Sequence, residues 1–264
     1  MILKKVPLTW ITTPILLIAF LSIWHFYVIF FDISKFILPP PIEVLKSLIE
    51  LLSSRIAWGH TWITVYETVV GFIIASIVGV GLGTLLGKVY WLERALNPFI
   101  IATQVVPKVA LVPLFILWFG FGPESKIIVA AVLAFFPILT NTVLGVKSVE
   151  SGHRNVLKVL NASRWQSFAF VEFPSSLPTI LAGMEVGIVL SLIGAVVGEY
   201  LGGSTGLGHL LVASLNDYKV GAMFAVITLL TLVGFSLYFV VGSLRYLLIP
   251  WHESVFLKEA HLAD

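Results

Sequence analysis

The sequence predicts an all-α integral membrane protein with six transmembrane helices, and three observations support this prediction. Only 11% of the 264 residues are charged and 58% are hydrophobic, and the mean hydropathy is +1.02. Soluble domains carry about 25% charged residues, so this chain lacks the charge needed to cover a surface in water. Its apolar residues form six long runs, and a helix of about 20 apolar residues crosses a bilayer.

The same composition excludes several classes of protein. A soluble enzyme or a disordered tail would need more charge, and a net charge of +2 is too small to drive binding to nucleic acid. The chain has no Cys, which excludes disulfides, Cys-ligated metals and a thiol nucleophile. It also has no Walker-type phosphate loop. We therefore expect no cofactor in this chain and assign any ATP hydrolysis to another subunit.

The first apolar run, residues 6–31, follows Lys4 and Lys5 and contains no charged residue. Its apolar part exceeds the roughly 7–15 residues of a signal peptide and no small-residue cleavage site follows, so we expect an uncleaved helix. Continuous runs favour helices over the alternating segments of a membrane β-barrel. The remaining predicted spans are residues 68–87, 96–119, 127–146, 178–198 and 220–244.

Small residues recur every four positions in the second span, at Gly71, Ala75, Gly79, Gly83 and Gly87. In lipid, such a stripe lets two helix backbones approach each other closely. The pattern predicts a tightly packed bundle and says nothing about any ligand.

Two prolines, Pro107 and Pro113, interrupt the third span on either side of Lys108. Proline breaks a helix, and non-helical backbone at membrane depth is tolerated only inside the protein or beside a wet cavity. Ionisable groups at this depth are costly, so Lys108 and Glu185 either form a structural pair or line a path. The residues predicted to line such a path are Gln104, Lys108, Asn141 and Glu185.

Polar residues on the predicted outer side have simpler interpretations. Glu67 and Glu199 lie at the ends of predicted spans, where we expect them at the membrane interface because the cost of a charge falls there. The glycine-rich segment 202–208 lacks the strand-then-helix context of a phosphate loop and is predicted to be a flexible outer loop. We expect His60 and His209 to be interfacial as well.

The outer segment, residues 32–60, contains a further structural signal. The sequence Leu38-Pro39-Pro40-Pro41 stops the preceding helix, and apolar residues then recur at helical spacing from Ile42 to Leu52. This periodicity indicates a helix. We expect a short amphipathic helix that lies along the outer membrane surface.

The distribution of Lys and Arg predicts the orientation of the chain. With a cytoplasmic N-terminus, the inner segments hold ten of these residues, the outer segments hold five, and Lys108 lies within a span. Both termini are therefore predicted to be cytoplasmic. The predicted organisation is an N-terminal helix with the outer segment (residues 1–60), a core (61–248) with a cytoplasmic loop (147–177), and a C-terminal tail (249–264).

The cytoplasmic loop, residues 147–177, is the longest inner connection and the most polar part of the chain. Its sequence predicts a helix, a bend at Asn161 and a second short helix that stops at Pro174. Asn tolerates the left-handed conformation that a sharp bend needs, and Ser163 and Gln166 have the spacing of a capping box. The apolar residues form two faces, one with Val156, Leu157 and Leu160 and the other with Trp165 and Phe168.

At this loop the chain resembles the permease subunits of binding-protein-dependent ATP-binding-cassette importers. Their motif, Glu-Ala-Ala-x3-Gly-x9-Ile-x-Leu-Pro, matches in spacing Asn155-Val156-Leu157, Asn161 and Val171-Glu172-Phe173-Pro174. Other segments are similar to the nitrate, sulfonate and taurine branch and occur in the same order over almost the whole chain. They are Leu38-Pro39-Pro40-Pro41, Val106-Pro107-Lys108-Val109-Ala110, Trp118-Phe119-Gly120-Phe121-Gly122, Ala162-Ser163-Arg164-Trp165-Gln166 and Gly206-Leu207-Gly208.

The resemblance implies the fold of a type I importer permease (MetI-like) and a coupling helix that sits in a cleft of the ATPase subunit. The chain departs from the motif, because Asn155 replaces its Glu, Val156 and Leu157 replace its two Ala, and Asn161 replaces its Gly. An ATPase partner with an altered cleft would accommodate these changes. The implied coupling residues are Asn155, Val156, Leu157, Leu160, Asn161, Ala162, Ser163, Arg164, Trp165, Phe168 and Pro174.

The resemblance also implies an inner-membrane assembly. Its simplest form is a homodimer with two ATPase subunits, which bind the ATP, and an extracytoplasmic substrate-binding protein; no nucleic acid is expected. The implied cargo is a small organic solute or anion, such as a sulfonate, taurine, nitrate, or a pyrimidine or aromatic nutrient. The alternatives are an ATP-independent secondary transporter or channel, which often shows internal repeats, and a membrane-embedded enzyme, which would need clustered catalytic groups.

Overall fold

A computed structural model describes residues 8–250, with side chains from residue 12 onward except at positions 151 and 154. Nearly all of the predicted C-terminal tail, residues 249–264, and the first seven residues lie outside this range. Within it, the chain forms helices and no strand. The α-helices are α1 (Leu8–Phe30), α2 (Pro41–Ser53), α3 (Arg55–Lys88), α4 (Tyr90–Val105), α5 (Val112–Phe119), α6 (Pro123–Lys147), α7 (Ser151–Val159), α8 (Arg164–Ser167), α9 (Phe173–Gly202), α10 (Leu207–Asn216) and α11 (Val220–Leu248).

Five continuous helical stretches in the described range are long and apolar enough to cross a membrane. A sixth span arises when α4 and α5 are taken together, because the pair passes the same test although it is bent by 80°. The predicted all-α fold with six spans is therefore confirmed, with one span broken. The five continuous spans are Thr12–Phe30, Arg55–Lys88, Pro123–Lys147, Arg164–Gly202 and Val220–Leu248.

The break in the third span lies where the prolines predict it. Helix α4 ends at Val105, a short 3-10 turn covers Lys108–Leu111, and α5 begins at Val112. Pro107 disfavours helical backbone in the residue before it, whereas Pro113 fits the first turn of α5, where no N–H donor is needed. The two prolines thus separate the helices and permit the sharp bend.

The core of the bundle is formed by α3, α6 and α9, which make the most extensive contacts in the described chain. The small residues of α3 face α6, as their spacing predicts. A Cβ atom added at Gly71 would lie 2.6 Å from the Cβ of Ala130, and one added at Gly83 would lie 2.6 Å from the Cβ of Thr142. The helix backbones can approach this closely only because the side chains are missing.

Helix α3 begins at Arg55, thirteen residues before the predicted start of the second span. Thr61, Thr64 and Glu67 interrupt the apolar run in the sequence, but all three side chains are buried against other parts of the protein. The predicted span was therefore too short, because it began after these polar residues although the helix includes them.

The predicted amphipathic helix after Pro41 is confirmed as α2. Its buried residues, Val44 and Leu48, face the protein, and Leu48 packs with Leu207 and Val226 of α10 and α11. Helix α1 is peripheral in comparison, since Val28 is the only buried side chain among those described in it. The amphipathic pattern of α2 thus results from its packing across α11.

Candidate functional site

The segment that corresponds to the predicted cytoplasmic loop, which we call the coupling segment (residues 147–177), contains α7 and α8 joined by a bend. Asn161 adopts a φ of 54° at this bend, as predicted. The capping box is confirmed as well, because the Ser163 hydroxyl accepts from the backbone N–H of Gln166 at 3.2 Å and the Ser163 N–H donates to the Gln166 side chain at 2.8 Å. The bend and the cap therefore define where α7 ends and where α8 begins.

The coupling segment exposes apolar side chains. The exposed fractions are 59% for Val156, 69% for Leu160 and 72% for Trp165. The Trp165 ring lies 5.9 Å from the ring of Phe168, centroid to centroid, and Phe168 is half-buried. An exposed apolar surface on an otherwise polar segment is typical of a contact with another protein or with the membrane. Asn155 and Asn161 are exposed on the same segment, whereas Leu157, Ala162 and Pro174 are half-buried.

The coupling segment is attached to the end of α3. The Lys88 ammonium group lies 3.0 Å from the Glu172 carboxylate and 4.4 Å from the centroid of the Phe168 ring. At the same end of the bundle, Lys147 pairs with Glu93 at 2.6 Å. These contacts link the coupling segment to the membrane helices.

The prediction that the second short helix stops at Pro174 is wrong. A π turn over Phe168–Glu172 follows α8 and leads directly into α9, with Pro174 in the first turn of α9. A proline ring clashes with the carbonyl four residues earlier in an α-helix, and the wider π turn relieves this clash. The coupling segment is therefore continuous with a membrane span.

Two of the four predicted path residues lie together at the break between α4 and α5. Gln104 and Lys108 line a cavity of about 430 Å³ with Phe136 and Thr140 of α6. The Lys108 ammonium group donates to the Gln104 carbonyl at 3.3 Å and lies 4.6 Å from the centroid of the Phe136 ring. This cavity, which we call the break cavity, combines hydrogen-bonding groups with an aromatic surface.

The other two predicted path residues lie elsewhere. Glu185 pairs with Arg245 of α11 at 2.9 Å, so a Lys108–Glu185 pair does not form. Asn141 donates to the Pro137 carbonyl at 2.8 Å and packs against Gly183 between α6 and α9. Neither residue lines the break cavity. Of the four predicted path residues, two therefore line a cavity and two form contacts between helices.

A buried polar cluster occupies the opposite end of the bundle from the coupling segment. The Glu199 carboxylate accepts from the Thr64 hydroxyl at 2.6 Å and from the N–H of Gly208 at 2.6 Å. Glu67 lies against Glu199. The Lys126 ammonium group donates to the carbonyl oxygens of Gly122 and Gly202 at 3.0 and 3.1 Å. The cluster connects α3, α6, α9 and α10.

The structure adds protein burial to the predicted positions of the two glutamates at the ends of spans. Glu67 is 2% exposed and Glu199 is 1% exposed, because packing of the helices removes both from solvent. Lys126, which directly precedes the predicted span at residues 127–146, is buried in the first part of α6. One signal in the sequence could have revealed the buried face, since Thr64 and Thr68 continue the helical spacing of Gly71 and Ala75.

The glycine-rich segment 202–208 is likewise more ordered than a flexible loop. The N–H of Gly206 donates to His60 Nδ1 at 2.9 Å, and the N–H of Leu207 donates to the Thr64 hydroxyl at 2.8 Å. Gly206 has a φ of 97°, a backbone conformation that glycine adopts without strain. His60 therefore binds this turn through the N–H of Gly206. The rings of His60 and His209 lie 6.1 Å apart, centroid to centroid.

Comparison with known proteins identifies relatives over most of the chain. Residues 75–252 match the family described as "Binding-protein-dependent transport system inner membrane component". The chain is 38% identical over 241 residues to the riboflavin transport system permease protein RibX of Chloroflexus aurantiacus, covering 91% of this chain and 90% of the relative. It is 33% identical to the formylaminopyrimidine transport permease protein ThiX of Halalkalibacterium halodurans, covering 83% and 88% of the two chains.

A third relative, the putative aliphatic sulfonates transport permease protein SsuC of Bacillus subtilis, is 31% identical, with 93% of this chain and 89% of the relative covered. Among solved structures, the fold is similar to a chain of the MetNI methionine ABC transporter in an inward-facing conformation. That match has a TM-score of 0.63 at 18% identity and covers 73% of this chain and 95% of the other. It supports the expected MetI-like fold.

Proposed function

The chain belongs to the family of binding-protein-dependent transport system inner membrane components, and from this premise we propose how its residues serve ATP-driven import. Membership identifies a transport permease rather than an enzyme: the subunit that forms the translocation path of an ATP-binding-cassette importer. Our proposal concerns the docking site of the ATPase, the assembly, the orientation and the cargo.

The coupling segment is the proposed docking site of a separate ATPase subunit. The observation that carries this assignment is its exposed apolar surface, formed by Val156, Leu160 and Trp165 at the position of the family motif. The attachment of Lys88 to Glu172 provides a physical connection between the docked ATPase and α3. A rotation of the coupling segment on ATP binding would then move the membrane helices as an interface-driven rigid-body change.

The proposed assembly is a homodimer with two ATPase subunits and an extracytoplasmic substrate-binding protein. Helix α4 supports this assembly because it has no buried residue, and Ile101, Val105 and Leu117 expose apolar side chains along the bent pair. A second copy would cover this surface, and two-fold symmetry is the commonest closed arrangement. In this assembly the coupling segment and both termini are cytoplasmic, in agreement with the distribution of Lys and Arg.

The proposed cargo is a nitrogen-containing ring compound that passes the break cavity. Relatives with 38% and 33% identity are named for riboflavin and formylaminopyrimidine transport, and both molecules are flat and polar. Phe136 offers an aromatic surface, while Gln104, Lys108 and Thr140 supply hydrogen-bonding groups. Binding sites for such molecules combine apolar walls with a few polar groups.

The docking assignment can be tested with Trp165→Ala, which removes an exposed ring from the apolar surface of the coupling segment. Truncation of a buried Trp at an interface typically costs about 2 kcal/mol or more, so ATPase co-purification should fall by at least about tenfold, and ATP-dependent uptake with it. Trp62→Ala, which changes an exposed Trp at the opposite end of the bundle, is the matched control. Unchanged assembly and uptake in Trp165→Ala would contradict the docking site.

Uptake into proteoliposomes separates the proposed function from its alternatives. We expect riboflavin or formylaminopyrimidine to enter only with the ATPase, the binding protein and ATP present. Lys108→Gln should lower uptake while ATPase co-purification remains, because Lys108 lines the break cavity and no residue of the coupling segment does. Equal uptake without the ATPase would instead support a secondary transporter or channel, and preferential uptake of taurine or nitrate would contradict the proposed cargo.

A further inference from the structure

A large cleft lies between the end of α3 and the coupling segment. It has a volume of about 820 Å³, and its lining includes Lys88, Lys158, Arg164 and Glu172. We call it the basic cleft. Arg164 and Trp165 of its lining also belong to the implied coupling residues. The exposed apolar surface does not, however, account for the charged groups of Lys88, Lys158 and Glu172.

The basic cleft carries a net positive charge. Three cations and one carboxylate line it, and the carboxylate of Glu172 lies 3.0 Å from the ammonium group of Lys88. Lys158 and Arg164 make no ion pair with a described side chain in this structure. Two cations therefore remain available to an anionic group that enters the cleft.

The other wall of the basic cleft is apolar and belongs to a membrane span. Leu85 is half-exposed on α3, and Trp165 is exposed beside the cleft. A Cβ atom added at Gly81 would meet no atom within 4 Å, so the surface of α3 is open where a hydrocarbon chain would lie. The cleft thus combines cationic groups at the end of a transmembrane helix with an open apolar groove. The cations suit the headgroup of an anionic lipid, and the groove suits its acyl chain.

We propose that the basic cleft binds an anionic phospholipid, with its phosphate between Lys158 and Arg164 and an acyl chain along α3 at Gly81. The lipid would bridge the membrane and the coupling segment, so that the segment is positioned by the bilayer as well as by Lys88. Only the assignment to the cytoplasmic leaflet rests on the proposed function. A soluble phosphate would satisfy the two cations but would leave the apolar wall uncovered.

The test measures lipid binding to the purified full-length chain by native mass spectrometry, with phosphatidylglycerol and phosphatidylcholine of equal chain length. A cation near the membrane surface favours an anionic lipid by about five-fold, so the wild type should prefer phosphatidylglycerol and Lys158→Gln should reduce that preference by about this factor. The Lys158→Gln/Arg164→Gln double variant should abolish it. Arg94→Gln, which changes an exposed cation of α4 outside the cleft, should leave the preference unchanged.

A second variant tests the apolar half of the site without changing charge. Gly81→Leu places a side chain in the open groove and should lower retention of phosphatidylglycerol, whereas soluble glycerol phosphate should not displace the lipid from the wild type. Equal preference in the wild type and the double variant, equal loss in Arg94→Gln, or displacement by glycerol phosphate would each overturn the proposal. The measurement needs no ATPase. Failed import with intact lipid selectivity would therefore refute only the proposed function. Intact import without lipid selectivity would refute only the lipid site.

Discussion

The hydroxyl of Thr64 donates a 2.6 Å hydrogen bond to the carboxylate of Glu199, across 135 positions of the sequence. The same hydroxyl accepts from the N–H of Leu207 at 2.8 Å. One oxygen atom therefore connects α3, the end of α9 and the start of α10. Because both partners are buried, no water is available to replace these bonds, and the contact fixes the turn between α9 and α10.

Thr64→Val should destabilise the protein by about 1–3 kcal/mol. The substitution keeps the shape of the side chain but removes a hydrogen bond from the buried Glu199 carboxylate and one from the buried N–H of Leu207, and loss of such bonds costs this much in typical proteins. Thermal unfolding in detergent measures the effect. Thr231→Val is the control, since that hydroxyl is exposed and donates only within its own helix; equal stability of the two variants would contradict the role of Thr64.

Gly71→Ala should also lower the melting temperature. The added Cβ would lie 2.6 Å from the Cβ of Ala130 and 2.9 Å from the carbonyl oxygen of Ile127, so α3 and α6 must move apart, and overpacking of this kind costs about 1–3 kcal/mol. Gly59→Ala lies on the same helix with no atom within 4 Å of the new Cβ. We expect that control to be neutral or stabilising, because Ala favours helix more than Gly.

Glu185 and Arg245, which form a 2.9 Å ion pair between α9 and α11, should show energetic coupling. Removal of either charge leaves the other without its partner in a partly buried position, so each single substitution to Gln should destabilise the protein. The double variant should recover part of the loss, with a coupling energy of about 0.5–3 kcal/mol in a double-mutant cycle. Additive effects within experimental error would mean that the pair contributes nothing.

Asn161→Val should disturb the bend between α7 and α8. A β-branched side chain is strained at a φ of 54°, at a cost of about 1–3 kcal/mol, and the relative orientation of the two short helices should change. ATPase co-purification would then fall, whereas Asn161→Gly should retain it because glycine adopts this conformation freely. Identical assembly of the two variants would show that the bend does not position the docking surface.

The sequence predicts the features that arise from local chemistry. Prolines at positions 107 and 113 predict the break, Asn161 predicts the bend, and Ser163 with Gln166 predicts the helix cap, because each effect acts within a few residues. The capping and bending signals lie in the most polar segment, where no competing packing overrides them.

Contacts between distant parts of the chain could not be predicted in the same way. Glu67, Lys126 and Glu199 lie on three different helices, so no spacing in the sequence connects them. The same applies to Glu185, whose partner Arg245 lies two helices later on α11. Which of the available cations each carboxylate binds depends on how the helices pack, and that is visible only in three dimensions.

The interlocked surfaces of α3 and α6 restrict how an importer of this kind changes shape. If one helix slid along the other, side chains of α3 would take the places of Gly71 and Gly83. These places have no room for a side chain, because α6 lies too close. We therefore expect the two helices to move together as one block in any change of shape. Bending should occur at the 80° bend between α4 and α5. The two prolines there lack the backbone N–H groups whose hydrogen bonds would resist it.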